Sequence, residues 1–92
     1  MPAVTISIPT MLRDCTKGQR AVRLEATSAR EALEKLLGQY PLLKFHLLDG
    51  NNLRTHLVIL HDGVPIHPLR DSSDVTFTQN QEIHILQAVS GG

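Results

Sequence analysis

The side chains that could carry chemistry in this chain of 92 residues are its histidines, its one cysteine and a pair of aspartates. The five histidines are His46, His56, His61, His67 and His84. They form no HExxH, HxxxH or H-x-H arrangement, and no second cysteine supplies another thiolate ligand, so the spacing does not predict a metal site. His84 alternates with Ile83 and Ile85, which predicts a side chain that points to solvent.

The cysteine and the aspartates have ordinary structural interpretations. Cys15 lies in the polar segment RDCTKGQ, whereas a reactive thiolate needs a neighbouring base or a helix N-terminus. Asp71 and Asp74 lie in a turn rich in Ser and Asp, where such side chains usually bond to their own backbone. No GxSxG, Walker or GxGxxG motif is present. We therefore expect no catalytic residue, no metal and no bound cofactor, and a protein that is not an enzyme.

The remaining candidate is the C-terminal segment ILQAVSGG, which ends on Gly91 and Gly92. Glycine buries no side chain and loses more conformational freedom on ordering than any other residue. The segment is therefore either a frayed end or a carboxylate that is kept accessible for a reaction. The elements that precede it must decide between the two.

The first half of the chain predicts a hairpin followed by a helix. Val4, Ile6 and Ile8 alternate with polar residues, as do Val22 and Leu24, and a polar loop with a turn at Gly18 separates the two strands. From residue 29 to residue 37 the apolar period changes to that of an amphipathic helix. The stripe consists of Ala29, Ala32, Leu33, Leu36 and Leu37.

The helix has clear end signals. Ser28 and Glu31 form a capping box, with Thr27 as an alternative cap, while Gly38 and Pro41 are predicted to end the helix. Residues 42–48 are predicted to be one turn of helix or an irregular segment.

The second half predicts three more strands. The first is residues 57–60, and the turn His61-Asp62-Gly63 follows it. The second is a short edge strand around Pro65. The last strand is predicted to point Ile83 and Ile85 into the core. The order β-β-α-β-(β)-β, one mixed sheet with one main helix, predicts an α+β β-grasp, or ubiquitin-like, fold. A ferredoxin-like fold is the alternative, but it needs a second long helix. We expect a globular domain over residues 1–86 and a flexible tail over residues 87–92.

Composition excludes several classes of partner. Nine basic and nine acidic residues give no net charge, and three aromatic residues are too few for a row of base-stacking platforms, so we expect no nucleic acid. No apolar run approaches the roughly 20 residues that span a bilayer, and no signal peptide opens the chain. With its single cysteine, the sequence predicts a cytoplasmic protein without a membrane partner.

A β-grasp domain whose last strand leads into Gly-Gly resembles the ThiS/MoaD family of ubiquitin-like sulfur carriers. The resemblance covers the whole chain and is concentrated in VTISIPTMLR, HDGVPI and ILQAVSGG. The first and last of these look most like the branch that feeds sulfur into cysteine synthesis, with molybdopterin-synthase small subunits next. The chain departs from the family pattern at two places, which involve three residues. Gln87 and Ala88 stand where a proline often precedes the valine, and Asn80 replaces a turn glycine.

The resemblance implies a function for the tail. An E1-like enzyme would use ATP to adenylate the Gly92 carboxylate, which then becomes a thiocarboxylate that donates sulfur in biosynthesis. The resemblance favours cysteine as the product, with molybdopterin or thiamine as alternatives. Val89, Ser90 and Gly91 would thread through a narrow channel. The implied partners are the E1-like adenylating and sulfur-transferring enzyme and a sulfur-accepting enzyme such as a cysteine synthase. Leu86 and Arg13 are the candidate partner contacts.

Two other functions remain open from the sequence. One is a ubiquitin-like modifier that is joined to lysines through Gly92. The other is a non-catalytic β-grasp interaction module in which the two glycines play no chemical role.

Overall fold

A computed structural model describes residues 2–50, 52–54, 56–68 and 75–87 of the chain. Its strands, in chain order, are β1 (Ala3–Ser7), β2 (Ala21–Glu25), β3 (Leu48–Asp49), β4 (Asn52–Leu53), β5 (Leu57–His61), β6 (Val64–Ile66) and β7 (Gln81–Gln87). Its α-helices are α1 (Ala29–Gln39) and α2 (Pro41–Leu47). A 3-10 helix (Thr10–Thr16) connects β1 to β2.

Five strands form one mixed sheet in the order β2-β1-β7-β5-β6. β7 lies in the middle, parallel to β1 and antiparallel to β5, while the other pairs in this sheet are antiparallel. The strands β3 and β4 form a separate two-stranded hairpin. The predicted fold, one mixed sheet in a β-grasp arrangement, is confirmed.

One face of the sheet packs against α1 and forms the core. The alternation on β1 and β7 buries one set of side chains and leaves the other exposed, because successive residues of a strand point to opposite faces. The buried residues include Val4, Ile6, Ile83 and Ile85 from these strands and Leu33 and Leu36 from α1. The apolar stripe predicted for the helix therefore faces the sheet.

The cap of α1 follows the predicted motif with one difference. Ser28 Oγ accepts a hydrogen bond from the Glu31 backbone N–H at 3.1 Å. The Glu31 carboxylate returns to the backbone N–H of Thr27, at 2.7 Å, rather than to that of the cap residue. Ser28 is thus the N-cap, and Thr27 is a donor to Glu31 rather than the cap. Ser28 and Glu31 accept from backbone N–H groups at and just before the first turn of the helix.

The sequence predicted that Gly38 and Pro41 end the helix, and its last residue is Gln39, between the two. Pro41 is also the first residue of α2, which the sequence did not predict. Proline is favoured at that position, since its missing N–H would have no partner in the first turn of a helix. Residues 42–48 were expected to form one turn of helix or an irregular segment. The segment is helical, and α2 runs for seven residues and buries Leu43 and Leu47.

The connection between β1 and β2 is helical, where the sequence predicted a polar loop. The segment turns at Lys17 and Gly18, which have φ of 58° and 82°. Thr16 is fully buried, and its hydroxyl contacts the carbonyl oxygens of Arg13 and Gln19 at 3.1 and 2.9 Å. A threonine that closes its own turn in this way carries no apolar signal, so periodicity did not reveal the helix.

The turn between β5 and β6 is tighter than predicted, because His61 belongs to β5. Asp62 and Gly63 both have positive φ, 53° and 78°, which is the backbone of a two-residue type I′ hairpin turn. The aspartate pair Asp71 and Asp74 lies outside the described residues.

Candidate functional site

The site that the sequence predicts is the end of β7. Gln87 is the last described residue of this strand, and it lies opposite Leu57 of β5. The strand therefore includes one residue that the sequence assigned to the tail. Residues 88–92, which include Val89, Ser90, Gly91 and Gly92, lie outside the described residues. Their roles therefore stay predictions.

Leu86 lies on the outer face of the sheet, away from α1. Its neighbour Ile85 is buried at 1% exposure, whereas Leu86 is 47% exposed. Directly opposite it on β5 stands Val58, and two residues further along β5 Leu60 stands opposite His84. Pro65 of β6 pairs with Leu60 and continues the row.

These positions form one surface, which we call the sheet-face patch: Val58, Leu60, Pro65 and Leu86. Residues directly opposite one another in antiparallel strands share a face, so the four lie on the same side of the sheet. Val58 and Leu60 are half-buried, while Pro65 and Leu86 are exposed. His84 at the border of the patch is exposed, as predicted. The patch is an apolar surface that begins next to the root of the tail.

The rest of the outer face is polar. β1 and β2 contribute Thr5, Ser7 and Arg23, and β7 contributes Glu82. An open depression at the far end of this face is lined by residues that include Arg23, Asp62 and Glu82. The apolar character of the outer face is therefore confined to β5, β6 and the end of β7.

Arg13, the second predicted partner contact, lies in the 3-10 helix. Its Nε donates a hydrogen bond to the Ile8 carbonyl oxygen at 3.2 Å, and the side chain is half-buried. Part of the guanidinium therefore holds the connection between β1 and the 3-10 helix. Its other nitrogens are not used in any hydrogen bond with the described part of the chain.

The other reactive residue types have structural partners. His61 Nε2 lies 2.7 Å from Gln81 Oε1 and 3.6 Å from Asp62 Oδ2, and its ring centroid lies 5.3 Å from that of Phe77. Cys15 is half-buried against the core rather than exposed in a loop. Within the described ranges, no three His, Cys, Asp or Glu residues are grouped so that they could hold a metal ion.

Two features of the site were missed by sequence reasoning. Gln87 Oε1 is buried and accepts no hydrogen bond from the part of the chain that the structure describes. Asn80, where a turn glycine was expected, does not use left-handed backbone; its Oδ1 accepts a hydrogen bond from the Ala3 N–H at 2.9 Å. The amide of Asn80 thus ties the start of β7 to the start of β1. Polarity alone indicates neither the burial of the Gln87 amide oxygen nor the hydrogen bond of Asn80, because each depends on which strands become neighbours.

Among the described residues, no helix is both long enough and apolar enough to cross a lipid bilayer.

Several solved structures share the fold over nearly the whole chain. CysO of Amycolatopsis orientalis, in a complex with BexX, aligns with a TM-score of 0.79 and 24% identity over 97% of this chain and 99% of its own. CysO of Mycobacterium tuberculosis gives 0.75 and 26% over 94% and 99%. The small archaeal modifier protein 1 (SAMP1) of Methanosarcina acetivorans gives 0.79 and 25% over 100% and 98%.

No protein-family model and no curated protein matches the sequence. The structural neighbours named here are two CysO proteins and a small archaeal modifier protein. The chain therefore has the β-grasp fold of these proteins, and its resemblance to ubiquitin-like sulfur carriers of the ThiS/MoaD type, CysO among them, is confirmed.

Proposed function

We propose that this protein carries sulfur on its C-terminal carboxylate. The observation that supports the proposal is the position of β7. This strand, bonded on both sides, ends beside an apolar surface and leads into a Gly-Gly terminus, in a fold shared with CysO. A carboxylate is a poor acylating group, so the chemistry begins with its activation by another enzyme.

Activation precedes sulfur transfer. A Gly92 carboxylate oxygen attacks the α-phosphorus of ATP in an E1-like enzyme, which releases pyrophosphate and leaves an acyl-adenylate. A sulfide sulfur then attacks the acyl carbon and AMP leaves, so that Gly92 ends in a thiocarboxylate. If an enzyme persulfide attacks instead, AMP leaves and an acyl disulfide forms, which a thiol of the enzyme reduces to the thiocarboxylate while it is itself oxidised to a disulfide. The acceptor enzyme takes the sulfur, and water restores the carboxylate. ATP is a substrate of the activating enzyme and not a cofactor of this chain.

Cysteine synthesis is the proposed destination of the sulfur. The thiocarboxylate sulfur attacks the β-carbon of an activated serine-derived acceptor and displaces the activating group. The acyl group then passes from sulfur to the neighbouring amine, and a peptidase hydrolyses that amide, which releases cysteine and restores the Gly92 carboxylate. Two of the structural neighbours named above are CysO proteins, one of them in a complex with BexX, which supports a carrier that docks on an enzyme. Molybdopterin and thiamine synthesis are the other destinations for a carrier of this type.

Glycine at the end of the tail serves the activation step. A side chain at residue 91 or 92 would collide with the walls of a narrow channel, whereas glycine lets the backbone pass. Ordering Val89 to Gly92 costs about 4–8 kcal/mol, at roughly 1–2 kcal/mol per residue. Contacts between the folded body and the enzyme must offset that cost. The sheet-face patch, next to the root of the tail, is the apolar surface placed to supply them.

The test is the intact mass of the protein after incubation with ATP, sulfide and the E1-like enzyme encoded in the same genome. We expect the mass gain that corresponds to one oxygen replaced by sulfur, on the C-terminal residue. A chain that lacks Gly92 is the control and should gain nothing. An unchanged mass of the full chain across the E1-like enzymes of that genome would refute the proposal.

A second function is favoured by the likeness to SAMP1, whose name describes it as a modifier protein. In this function the activated Gly92 is transferred to a lysine amine, and the isopeptide bond replaces the bond to AMP. Mass spectrometry of cell extracts would detect lysines joined to the tail. If neither adducts nor a thiocarboxylate form, and tail variants keep full function in cells, the chain is an interaction module.

A further inference from the structure

The charges of this neutral protein are segregated by segment. We define the basic end as the connection between β1 and β2 (residues 10–20) together with α2, β3 and β4 (residues 41–54). It carries five of the nine Lys and Arg residues, Arg13, Lys17, Arg20, Lys44 and Arg54. It carries two of the nine Asp and Glu residues, Asp14 and Asp49. The basic end therefore has an excess of three positive charges, and the remainder of the chain an excess of three negative ones.

Strand register places the basic end at the root of the tail. β1 and β7 are parallel, with Ser7 opposite His84, so the 3-10 helix that follows β1 lies at the end of the sheet where β7 ends. Leu57, opposite Gln87, donates its N–H to the Arg54 carbonyl at 3.0 Å. The Arg54 guanidinium in turn donates to the Phe45 carbonyl of α2 at 3.0 and 3.3 Å.

The opposite end of the sheet is acidic. Glu25 lies beside Ala3 where β1 begins, and Glu82 lies near the beginning of β7. Asp62 occupies the hairpin turn beyond β5, and Glu31 caps the first turn of α1. Outside the basic end, the described residues carry five carboxylates and three cations, an excess of two negative charges: Glu25, Glu31, Glu34, Asp62 and Glu82 against Arg23, Arg30 and Lys35. The positive excess of the described residues therefore lies at the end of the sheet where β7 ends.

The cations of the basic end are not neutralised by neighbouring carboxylates. Within residues 2–50, 52–54, 56–68 and 75–87, none of these five side chains forms an ion pair. Arg13 and Arg54 donate to backbone carbonyls, which fixes their positions but leaves their charge. Lys17, Arg20 and Lys44 are exposed. Their field therefore reaches solvent.

The basic end also exposes large apolar side chains. Met11 in the 3-10 helix is 73% exposed, and Leu42 and Phe45 in α2 are 60% and 72% exposed. Leu42 and Phe45 are three residues apart and so share one face of α2, while Leu43 and Leu47 bury the other. The 3-10 helix and α2 pack against each other. Exposed apolar groups bordered by unpaired charges are typical of protein–protein contact surfaces.

We propose that the basic end is a docking surface for an acidic, partly apolar protein surface at the mouth of the enzymes that act on the tail. The identity of those enzymes rests on the proposed function. The five residues after Gln87 span at most about 18 Å when fully extended. An enzyme that holds Gly92 in its site must therefore bring its rim against this end of the sheet. Opposite charges on that rim would steer the encounter and fix its orientation.

A protein surface fits this end better than nucleic acid does. A nucleic-acid site needs cations along a phosphate backbone and aromatic platforms for bases, and it gains nothing from exposed Met11 and Leu42. The acidic remainder of the molecule would also repel a polyanion that extends beyond the basic end. A compact acidic rim meets the positive end alone.

The first test needs no enzyme. The isotope-labelled protein is titrated by NMR with a helical 20-residue peptide that carries glutamates on one face and leucines on the other. We expect amide shifts over residues 10–20 and 41–54, and binding that weakens roughly tenfold or more between low and high salt. A peptide with lysines in place of the glutamates is the control and should not shift these amides. Three results would overturn the proposal. The peptide could fail to bind, or it could shift amides centred on the sheet-face patch or on the acidic end of the sheet. Duplex DNA or RNA could also bind more tightly than the peptide and shift the same amides.

The second test uses the activating enzyme. The double variant Arg20→Glu with Lys44→Glu reverses two exposed charges of the basic end, and Arg23→Glu with Lys35→Glu makes the same change in charge elsewhere. We expect the first pair to lower kcat/KM for thiocarboxylate formation at least tenfold at low salt, and the second less than twofold. Circular dichroism confirms that both pairs fold. Equal losses of kcat/KM in the two double variants would overturn the proposed docking surface. A wild-type chain that never gains sulfur would instead overturn the proposed function, and the peptide titration alone would then test the docking surface.

Discussion

Leu86→Gln separates a docking role of the sheet-face patch from a structural one. The leucine is 47% exposed, so about half of its apolar surface remains to be buried by a partner. Full burial of a leucine is worth about 1.5–3 kcal/mol, so the exposed half contributes about 1 kcal/mol to docking. Glutamine loses that contribution and buries an amide without a matched partner, which costs about 1–2 kcal/mol more. The total of about 2–3 kcal/mol corresponds to a Kd roughly 30- to 150-fold higher.

The effect on folding should be much smaller, because the amide introduced by this substitution stays in water in the free protein. We expect the free energy of unfolding in denaturant to fall by no more than about 1 kcal/mol. Binding to the activating enzyme is measured by calorimetry. Val64→Gln is the matched control, since Val64 is 59% exposed on β6 at the opposite end of the sheet, and it should bind normally. A loss of more than about 3 kcal/mol in unfolding free energy, with unchanged binding of the folded fraction, would mark Leu86 as a core residue and refute the reasoning.

Three other outcomes follow from single contacts. Deletion of Gly92 should abolish thiocarboxylate formation and leave the unfolding midpoint in denaturant unchanged; charging of the shortened chain, seen by intact mass, would contradict the role of the terminus. Gln87→Leu should raise the free energy of unfolding by about 1 kcal/mol, because it removes a buried acceptor that has no described donor, and a decrease in denaturant melts would show that the amide is satisfied. Asn80→Ala should lower the free energy of unfolding by about 1 kcal/mol through loss of the bond to the Ala3 N–H, with normal sulfur charging, and Asn80→Gly, which also lacks the acceptor, should not restore it.

Periodicity alone predicted the parts of the fold that depend on burial. The alternation of Ile83 and Ile85 with polar residues determined which face of β7 enters the core, and the spacing of Leu33 and Leu36 determined the face of α1. Both patterns are enforced by the hydrophobic effect, which acts on every residue of the element. The fold class was therefore accessible from the sequence.

The parts that the sequence did not predict depend on a few polar contacts. The 3-10 helix is closed by the buried hydroxyl of Thr16, and α2 begins at a proline that is equally typical of a helix stop. The hydrogen bond from Ala3 to Asn80 joins residues that are far apart in the sequence. The sequence could identify Leu86 as a candidate contact but could not decide its exposure, because that depends on whether any element covers the outer face of the sheet. The sequence also did not show that the two basic segments, residues 10–20 and 41–54, lie together at one end of the sheet. That placement depends on the parallel pairing of β1 with β7 and on the packing of the 3-10 helix against α2.

The parallel pairing of β1 with β7 explains how a small domain could present a costly tail. β7 is hydrogen-bonded to β1 on one side and β5 on the other, so the strand that leads to the tail is among the best-anchored segments of the described chain. Pairing with β5 extends to Gln87, so backbone hydrogen bonds fix the position of this end relative to the sheet-face patch. An enzyme that contacts the sheet-face patch and the basic end has already fixed the start of the tail, and the entropy it must still offset is confined to the residues after Gln87. If the tail instead followed an edge strand, fraying of that strand would add to the same cost. The central position of β7 thus links the topology of the sheet to the efficiency with which Gly92 could be delivered.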